Sequence, residues 1–153
     1  MLEIREATAD DVPAIVEHVA KVLAEFGLTF GSGSPTDDQL RGLPASYRDH
    51  GGAFWVAYND GALVGTAGVF PVEPGTYELR KMYLLPTLRG LGLGKKLLAA
   101  CVDWVRARGG TYIVCDTIDA MTRAIAFYEA HGFVRDDAQM RAERCTRGYR
   151  LDL

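Results

Sequence analysis

A glycine-rich segment between a strand-like run and a helical run constrains this chain more than any other feature. The segment from Glu78 to Leu98 reads ELRKMYLLPTLRGLGLGKKLL. Its first part has the mixed apolar and charged pattern of a strand, which Pro86 ends because proline has no N–H for a sheet ladder. From Gly92 onward, apolar residues recur at helical spacing. We therefore predict a strand, a tight loop and a helix, in that order.

The loop is typical of an anion-binding site. The first N–H groups of a helix have no intrahelical partner and point outward, and glycine lets a ligand approach that backbone closely. The N-terminus of a helix also favours negative charge, so phosphate groups bind there. Arg89, Lys95 and Lys96 add positive side chains. The residues alone predict a site for a phosphate or pyrophosphate group.

The glycine spacing separates this loop from two other phosphate-binding motifs. The P-loop pattern GxxxxGK[ST] fails because Arg89 stands at its first glycine and Lys96 at its Ser or Thr. The dinucleotide pattern GxGxxG fails because the glycines run Gly90, Gly92 and Gly94 and then stop. The pattern that fits is RxxGxG, and a purely structural glycine-rich turn is the alternative.

A second motif, RAIAFYEAHGF from Arg123 to Phe133, follows the loop. Together with RxxGxG and the strand that ends in LP before it, this motif resembles the GCN5-related N-acetyltransferase (GNAT) family in order and spacing. The resemblance covers roughly the second half of the chain. It implies an α/β (α+β) fold: a mixed, mostly antiparallel twisted sheet of about seven strands with helices on both faces. It also implies a single domain over residues 1–153 and a sheet that splits where its two central parallel strands part.

The rest of the chain fits that order of elements. Two strands joined by Asn59-Asp60-Gly61 predict a hairpin, and Pro71 and Pro74 predict a break after its second strand. The other predicted elements of the first half are a strand over Leu2–Arg5, an amphipathic helix from Val12 to Phe26 and a short helix from Asp37. In the second half we predict strands over Thr111–Asp116 and Thr146–Leu153, with a helix over Met121–His131 between them.

The resemblance implies acetyl-coenzyme A as the cofactor. Its pyrophosphate would bind the backbone N–H groups of the loop, and the end of the preceding strand would present main-chain groups to the pantetheine arm. The implied cofactor-binding residues are Met82, Tyr83, Leu84, Arg89, Gly90, Leu91, Gly92, Leu93, Gly94, Lys95, Ala124 and Tyr128. Relatives often carry Asn where this chain has Met121, which puts one contact with the coenzyme in question.

Two side chains resemble the family's catalytic groups. Glu78 resembles a glutamate that acts as general base, often through water, and Tyr128 matches a tyrosine that protonates the thiolate of coenzyme A. The alternatives are a structural ion pair of Glu78 with Arg80 or Lys81, and a packing role for Tyr128. Strand alternation predicts that Glu78 and Arg80 share one face, unless a bulge shifts the register.

The resemblance implies transfer of an acetyl group to a primary amine of a small molecule or peptide, by direct attack in a ternary complex. Phe30, Tyr47 and Glu78 are the implied acceptor-side residues. Five arginines in the last 19 residues form either a salt-bridged surface, which we favour, or a site for an anionic acceptor. A module that binds acyl-coenzyme A without catalysis is the alternative function.

Composition limits the other classes of function. The chain has 153 residues, a net charge of −3 and no apolar run long enough for a membrane span. We expect a cytoplasmic protein that binds neither nucleic acid nor membrane. Its three cysteines and three histidines show no zinc-binding spacing, so we expect no metal. The oligomeric state is open, a homodimer included.

Overall fold

The computed structural model describes residues 1–31, 34–85 and 92–153. The predicted loop residues Arg89, Gly90 and Leu91 lie outside these described residues, so their role stays a prediction. Within the described ranges the chain forms a seven-stranded sheet in the order β1-β2-β3-β4-β5-β7-β6. The strands are β1 (Leu2–Glu6), β2 (Ala53–Asn59), β3 (Ala62–Glu73), β4 (Thr76–Leu84), β5 (Tyr112–Thr117), β6 (Val134–Arg135) and β7 (Arg147–Asp152).

Only one neighbouring pair in the described sheet is parallel, namely β4 with β5. The two strands pair over three positions and their ladder ends at Glu78 and Val114. Both strands continue beyond that point, β4 to Leu84 and β5 to Thr117. The predicted mixed sheet, split between its central parallel strands, is therefore confirmed.

The helices cover both faces of the sheet. They are α1 (Val12–Glu25), α2 (Pro35–Asp38), α3 (Ala45–Arg48), α4 (Leu93–Ala107) and α5 (Thr122–Ala130). Side chains of α1 and α3 pack in one apolar cluster with Phe54 and Val56 of β2, and side chains of α4 and α5 pack in another with Trp55 and Ala57. Alternate residues of β2 thus enter opposite clusters, as the period of a strand requires.

The hairpin and the strand that follows it differ from expectation in two places. Pro71 does not end β3, which continues to Glu73 and pairs Pro71 with Tyr77. Between β3 and β4, Thr66 pairs with Tyr83 but Gly68 pairs with Arg80. One residue of β3, Ala67, therefore lies opposite two residues of β4, Lys81 and Met82. This is a β-bulge.

The bulge lies at Lys81, whose φ of +54° is unusual for a residue other than glycine. The Thr66 hydroxyl donates a hydrogen bond of 2.7 Å to the Lys81 carbonyl. As a result, the side chains of Lys81 and Arg80 lie on the same side of the sheet, where Lys81 contacts Asp37 of α2 and Arg80 contacts Phe70. Met82 lies on the other side and packs in the α4 cluster. The bulge therefore places charged side chains of β4 together on one face.

Candidate active site

A cavity of about 1130 Å³ opens where β4 and β5 part. The edge of β4 beyond Glu78 forms one wall without pairing to β5, and the end of α1, the start of α2, α5 and the segment 141–145 form the others. An extended chain can lie along such an unpaired strand edge because its backbone groups are open to hydrogen bonding. The cavity therefore suits a long ligand with a hydrogen-bonding arm.

Glu78 lies buried on the wall of this cavity, with 5% of its surface exposed. Its Oε1 accepts a hydrogen bond of 2.5 Å from Arg80 Nε, so the alternative ion pair with Arg80 is present and the one with Lys81 is not. Its Oε2 accepts no hydrogen bond from the described residues, and Arg141 Nε lies 3.9 Å from it. One buried carboxylate oxygen is thus left for a ligand or a water molecule.

Tyr128 lies on the cavity wall, at the core-facing side of α5. It packs against Phe133 and Tyr149, with ring centroids 5.2 and 5.8 Å away. Burial raises the pKa of its phenol well above the ordinary value, so the phenol keeps its proton at neutral pH. Burial likewise raises the pKa of the Cys115 thiol. The site therefore holds a hydrogen-bond donor beside the cavity.

The end of β4 is held in place from α1. His18 is buried, and its Nε2 donates a hydrogen bond of 2.8 Å to the carbonyl of Tyr83. We predicted Met82, Tyr83 and Leu84 as main-chain contacts of the cofactor, and all three line the cavity. The Tyr83 carbonyl, however, already accepts a hydrogen bond within the fold. No local pattern in the sequence signals this partner for His18.

Helix α4 begins at the mouth of the split with Gly92 as its N-cap, at φ +83°. The first hydrogen bond of the helix joins Lys96 N to Gly92 O, at 3.2 Å. The N–H groups of Leu93, Gly94 and Lys95 therefore have no partner inside the helix. The predicted helix N-terminus is present, and its role in binding an anion stays a prediction.

The side chains at this helix start have different surroundings. Leu93 is buried in the α4 cluster, so only its backbone could contact the cofactor. A Cβ added at Gly94 would lie 3.0 Å from Phe127 Cε1 and 3.3 Å from Leu84 Cδ1. Gly94 thus permits close packing of α4 against α5 and β4. Lys95 is exposed.

Helix α5 brings Ala124 and Met121 to the same cavity. Met121 caps the helix, and its sulfur accepts a hydrogen bond of 3.4 Å from the Thr117 hydroxyl. A thioether cannot donate a hydrogen bond, so Met121 offers the cofactor less than an asparagine would.

Two predicted acceptor residues lie elsewhere. Tyr47 is fully buried in the cluster of α1 and α3, in edge contact with Phe54 and Phe70. Phe30 packs at the edge of that cluster, under the guanidinium of Arg41. Neither is among the described residues that line the cavity, so we do not carry them forward as acceptor contacts. The segment between β1 and β2 reaches the cavity instead through Phe26, Leu28, Ser34 and Pro35 and their neighbours.

The C-terminal arginines divide into two groups. Arg135, Arg147 and Arg150 pair with aspartates outside the cavity, as a salt-bridged surface predicts. Arg141 and Arg144 instead line the cavity. Spacing along the chain could not distinguish the two groups, because all five lie within the last 19 residues.

None of the helices in the described ranges combines the length and apolar character that a bilayer span needs. Across those same residues, no group of three or more His, Cys, Asp or Glu side chains is placed to hold a metal ion.

The parted strands, the cavity beside them and the N-terminus of α4 at its mouth are typical of a protein that binds an extended, phosphate-bearing cofactor. The model of the acetyltransferase (GNAT) family matches residues 19–133. An uncharacterised N-acetyltransferase of Escherichia coli, YjgM, is 38% identical over 138 residues, which span 88% of this chain and 83% of that protein.

Solved structures agree with the family match. A GNAT-family acetyltransferase from Staphylococcus aureus has a TM-score of 0.89 at 26% identity, covering 100% of this chain and 99% of that one. The PaiA N-acetyltransferase of Thermoplasma acidophilum, solved with coenzyme A, has the same fold, with a TM-score of 0.80 at 18% identity over 100% and 99% of the two chains.

The chain belongs to the GNAT acetyltransferase family. It is an acyltransferase with acetyl-coenzyme A as its cofactor, as predicted. The alternative of a binding module without catalysis has no support in this membership.

Proposed function

We propose that this enzyme moves the acetyl group of acetyl-coenzyme A to the primary amine of a small molecule, or of a peptide, by direct attack in a ternary complex. The observation that carries the proposal is that Glu78 and Tyr128 lie on the walls of one cavity, one on β4 and the other on α5. A base for the amine and a proton donor for the leaving group are thus available in the same space.

Bound acetyl-coenzyme A supplies the thioester acetyl group and a thiol as leaving group. Glu78 Oε2, which accepts no hydrogen bond from the described residues, takes the proton of the acceptor amine directly or through water. Arg80 holds the other oxygen and so fixes the direction of the carboxylate. Positioning of this kind contributes to rate by reducing the entropy lost on the way to the transition state.

The Tyr128 hydroxyl donates its proton towards the leaving sulfur. Its phenol is protonated at neutral pH because burial holds its pKa well above the ordinary range. That same shift makes complete proton transfer less favourable, so its contribution is largely a hydrogen bond to developing negative charge. The backbone of Leu93, Gly94 and Lys95 would hold the pyrophosphate, with Arg89 beside it.

A thiol-release assay with acetyl-coenzyme A and a panel of amines tests the proposal. We expect turnover with at least one class of amine, and a loss of about 10²-fold or more in kcat for Tyr128→Phe and for Glu78→Gln. Calorimetric affinity for coenzyme A should stay near the wild-type value in both variants. Tyr112→Phe, a change at a tyrosine outside the cavity, is the matched control.

Near-normal turnover of Tyr128→Phe would show that Tyr128 is not the acid. Near-normal turnover of Glu78→Gln would show that Glu78 is not the base and has only a structural role, in its ion pair with Arg80. A cytoplasmic location and a homodimer remain proposals too. Cell fractionation tests the location, and light scattering of the purified protein tests the oligomeric state.

A further inference from the structure

We infer that the acceptor is an amino acid or a close analogue, with a carboxylate beside its amine, and that Arg141 and Arg144 bind this carboxylate. The inference rests on the proposed function and names the acceptor class of the same site. Its basis is that these two arginines line the cavity with few hydrogen bonds to the described residues, whereas the neighbouring Arg80 is held by Glu78, Gln39 and Phe70.

Arg80 is held in place by three partners. Its Nε donates to Glu78 at 2.5 Å and its NH1 donates to the Gln39 side chain at 3.0 Å. Its guanidinium also stacks over Phe70, 4.2 Å from the ring centroid. This residue is therefore part of the framework that holds Glu78.

Arg144 has fewer partners within the fold than Arg80. It lies on the cavity wall, and within the described part of the chain its guanidinium donates no hydrogen bond. Its carboxylate neighbour Asp37 is 3.8 Å away, and Asp37 already accepts hydrogen bonds from Lys81 and from the Gly31 amide. A planar guanidinium carries five N–H donors. Arg144 can therefore bind a second carboxylate with both arms of its fork.

Arg141 is partly engaged. Its NH1 donates to the Gln139 carbonyl at 3.1 Å, while its Nε and NH2 lie 3.9 and 3.7 Å from the carboxylates of Glu78 and Glu73. These two separations exceed hydrogen-bond length. A ligand carboxylate can therefore take up these donors.

The backbone beneath the two arginines is anchored. Asp116 Oδ2, at the cavity end of β5, accepts hydrogen bonds of 2.7 and 2.8 Å from the amides of Arg141 and Ala142. The segment that carries both guanidiniums is thus fixed to the sheet by main-chain bonds. Replacement of either arginine side chain leaves those bonds in place, so the variants test the side chains alone.

The closeness of the two charges favours an acceptor whose amine and carboxylate lie close together. Glu78, the proposed base, and Arg141 are 3.9 Å apart across the same wall. An α-amino acid carries its amine and its carboxylate on one carbon atom, so it can meet both groups at once. A planar carboxylate matches the guanidinium fork, and both signs of charge on the wall are then satisfied.

The test compares amino acids with amines that lack only the α-carboxylate, such as tyrosine with tyramine and histidine with histamine. With the wild-type enzyme we expect kcat/KM to favour the amino acid of at least one pair by about 10- to 100-fold, as a charged hydrogen bond predicts. Arg144→Gln and Arg141→Gln should remove most of this preference by raising KM for the amino acid. In the same variants the matched amine should lose much less kcat/KM than the amino acid does.

Arg135→Gln is the matched control, because Arg135 is exposed and pairs with Asp137 outside the cavity. It should leave the preference unchanged, and Arg144→Lys should restore part of it. Equal or better kcat/KM for the amines would overturn the inference while leaving the proposed function intact. The same holds if aminoalkyl phosphates are preferred, or if the arginine variants lower both members of a pair equally. No turnover of any amine, with coenzyme A still bound, would overturn both.

Discussion

The buried ion pair between Lys81 and Asp37 offers a sharp test of how this site is held together. The two side chains are 4% and 0% exposed, and they join the bulge of β4 to the start of α2. Asp37 has two further neighbours, the Gly31 amide at 2.8 Å and Arg144 at 3.8 Å. Among the described residues, Lys81 Nζ has Asp37 as its only carboxylate partner. We therefore expect Asp37→Asn to be the more damaging half of the pair to replace.

The loss of stability expected for Asp37→Asn can be bounded from below and from above. Removing one partner of a buried pair destabilises a protein by about 3–5 kcal/mol, because the other charge stays buried. The buried lysine can also lose its proton, which limits the cost. Deprotonating a lysine with the ordinary pKa of 10.5 at pH 7 costs about 1.4 kcal/mol for each of 3.5 pH units, or about 5 kcal/mol. Asp37→Asn should thus lower the free energy of unfolding by about 3–5 kcal/mol at pH 7.

The same argument fixes the sign of the pH dependence. Burial already lowers the pKa of Lys81 in the intact pair, and Asp37→Asn removes the interactions that oppose this shift, so the pKa in the folded variant falls further below its unfolded value. Stability relative to wild type must then rise with pH. At pH 9 the ordinary pKa of lysine lies only 1.5 pH units above the pH, so the loss in free energy of unfolding should shrink to about 2 kcal/mol or less.

Urea unfolding followed by tryptophan fluorescence at pH 7 and pH 9 measures both quantities. Glu17→Gln is the matched control, since it breaks an exposed pair with Lys21 and should change stability by less than about 0.5 kcal/mol. Lys81→Met should cost less than Asp37→Asn, because Asp37 keeps two other partners. A loss below about 1 kcal/mol at pH 7, or a loss that grows towards pH 9, would refute the reasoning.

Three further predictions concern the cofactor site, acid stability and packing. Gly92→Asp should weaken coenzyme A binding by at least 10-fold in calorimetry, because it puts negative charge at the start of α4. Asp11→Asn should flatten the loss of stability on acidification below about pH 4. Hydrogen bonds from Arg5 hold the pKa of Asp11 far below its ordinary value, so this stability is present above that value and lost as pH falls. Gly52→Ala should destabilise the fold by about 1–3 kcal/mol in urea, since its Cβ would lie 2.4 Å from the Val69 carbonyl oxygen.

Each of these has a matched control. Gly92→Asn has nearly the same shape as Gly92→Asp and tolerates the same positive φ, so equal binding by the two variants would contradict a charge effect. Asp119→Asn removes an exposed carboxylate that pairs with Arg147 and should change acid stability little. An acid profile of Asp11→Asn that matches wild type would exclude Asp11 as a major contributor. Gly42→Ala, at a glycine with an ordinary φ, should be milder than Gly52→Ala, and the reverse order would contradict the packing argument.

The sequence determined the parts of this protein that local signals encode. The turn Asn59-Asp60-Gly61 joins β2 and β3 as predicted, with φ of +51° at Asp60 and +83° at Gly61. Periodicity located α4, and Gly92 stands at its start. Such features are predictable because they depend on residues within one turn or one strand of each other. The family and cofactor followed from motifs of the same local kind.

The tertiary structure alone decided which charged side chains face the cavity. Lys81 meets Asp37, which is 44 residues away in the chain, and that contact accompanies the bulge that sets the faces of β4. Tyr47 packs in the core against Phe54 and Phe70, and Asp116 accepts a hydrogen bond from the amide of Arg141, whose side chain lies 3.9 Å from Glu78. No local pattern encodes these pairings, because a buried charge or ring is placed by whatever long-range partner satisfies it.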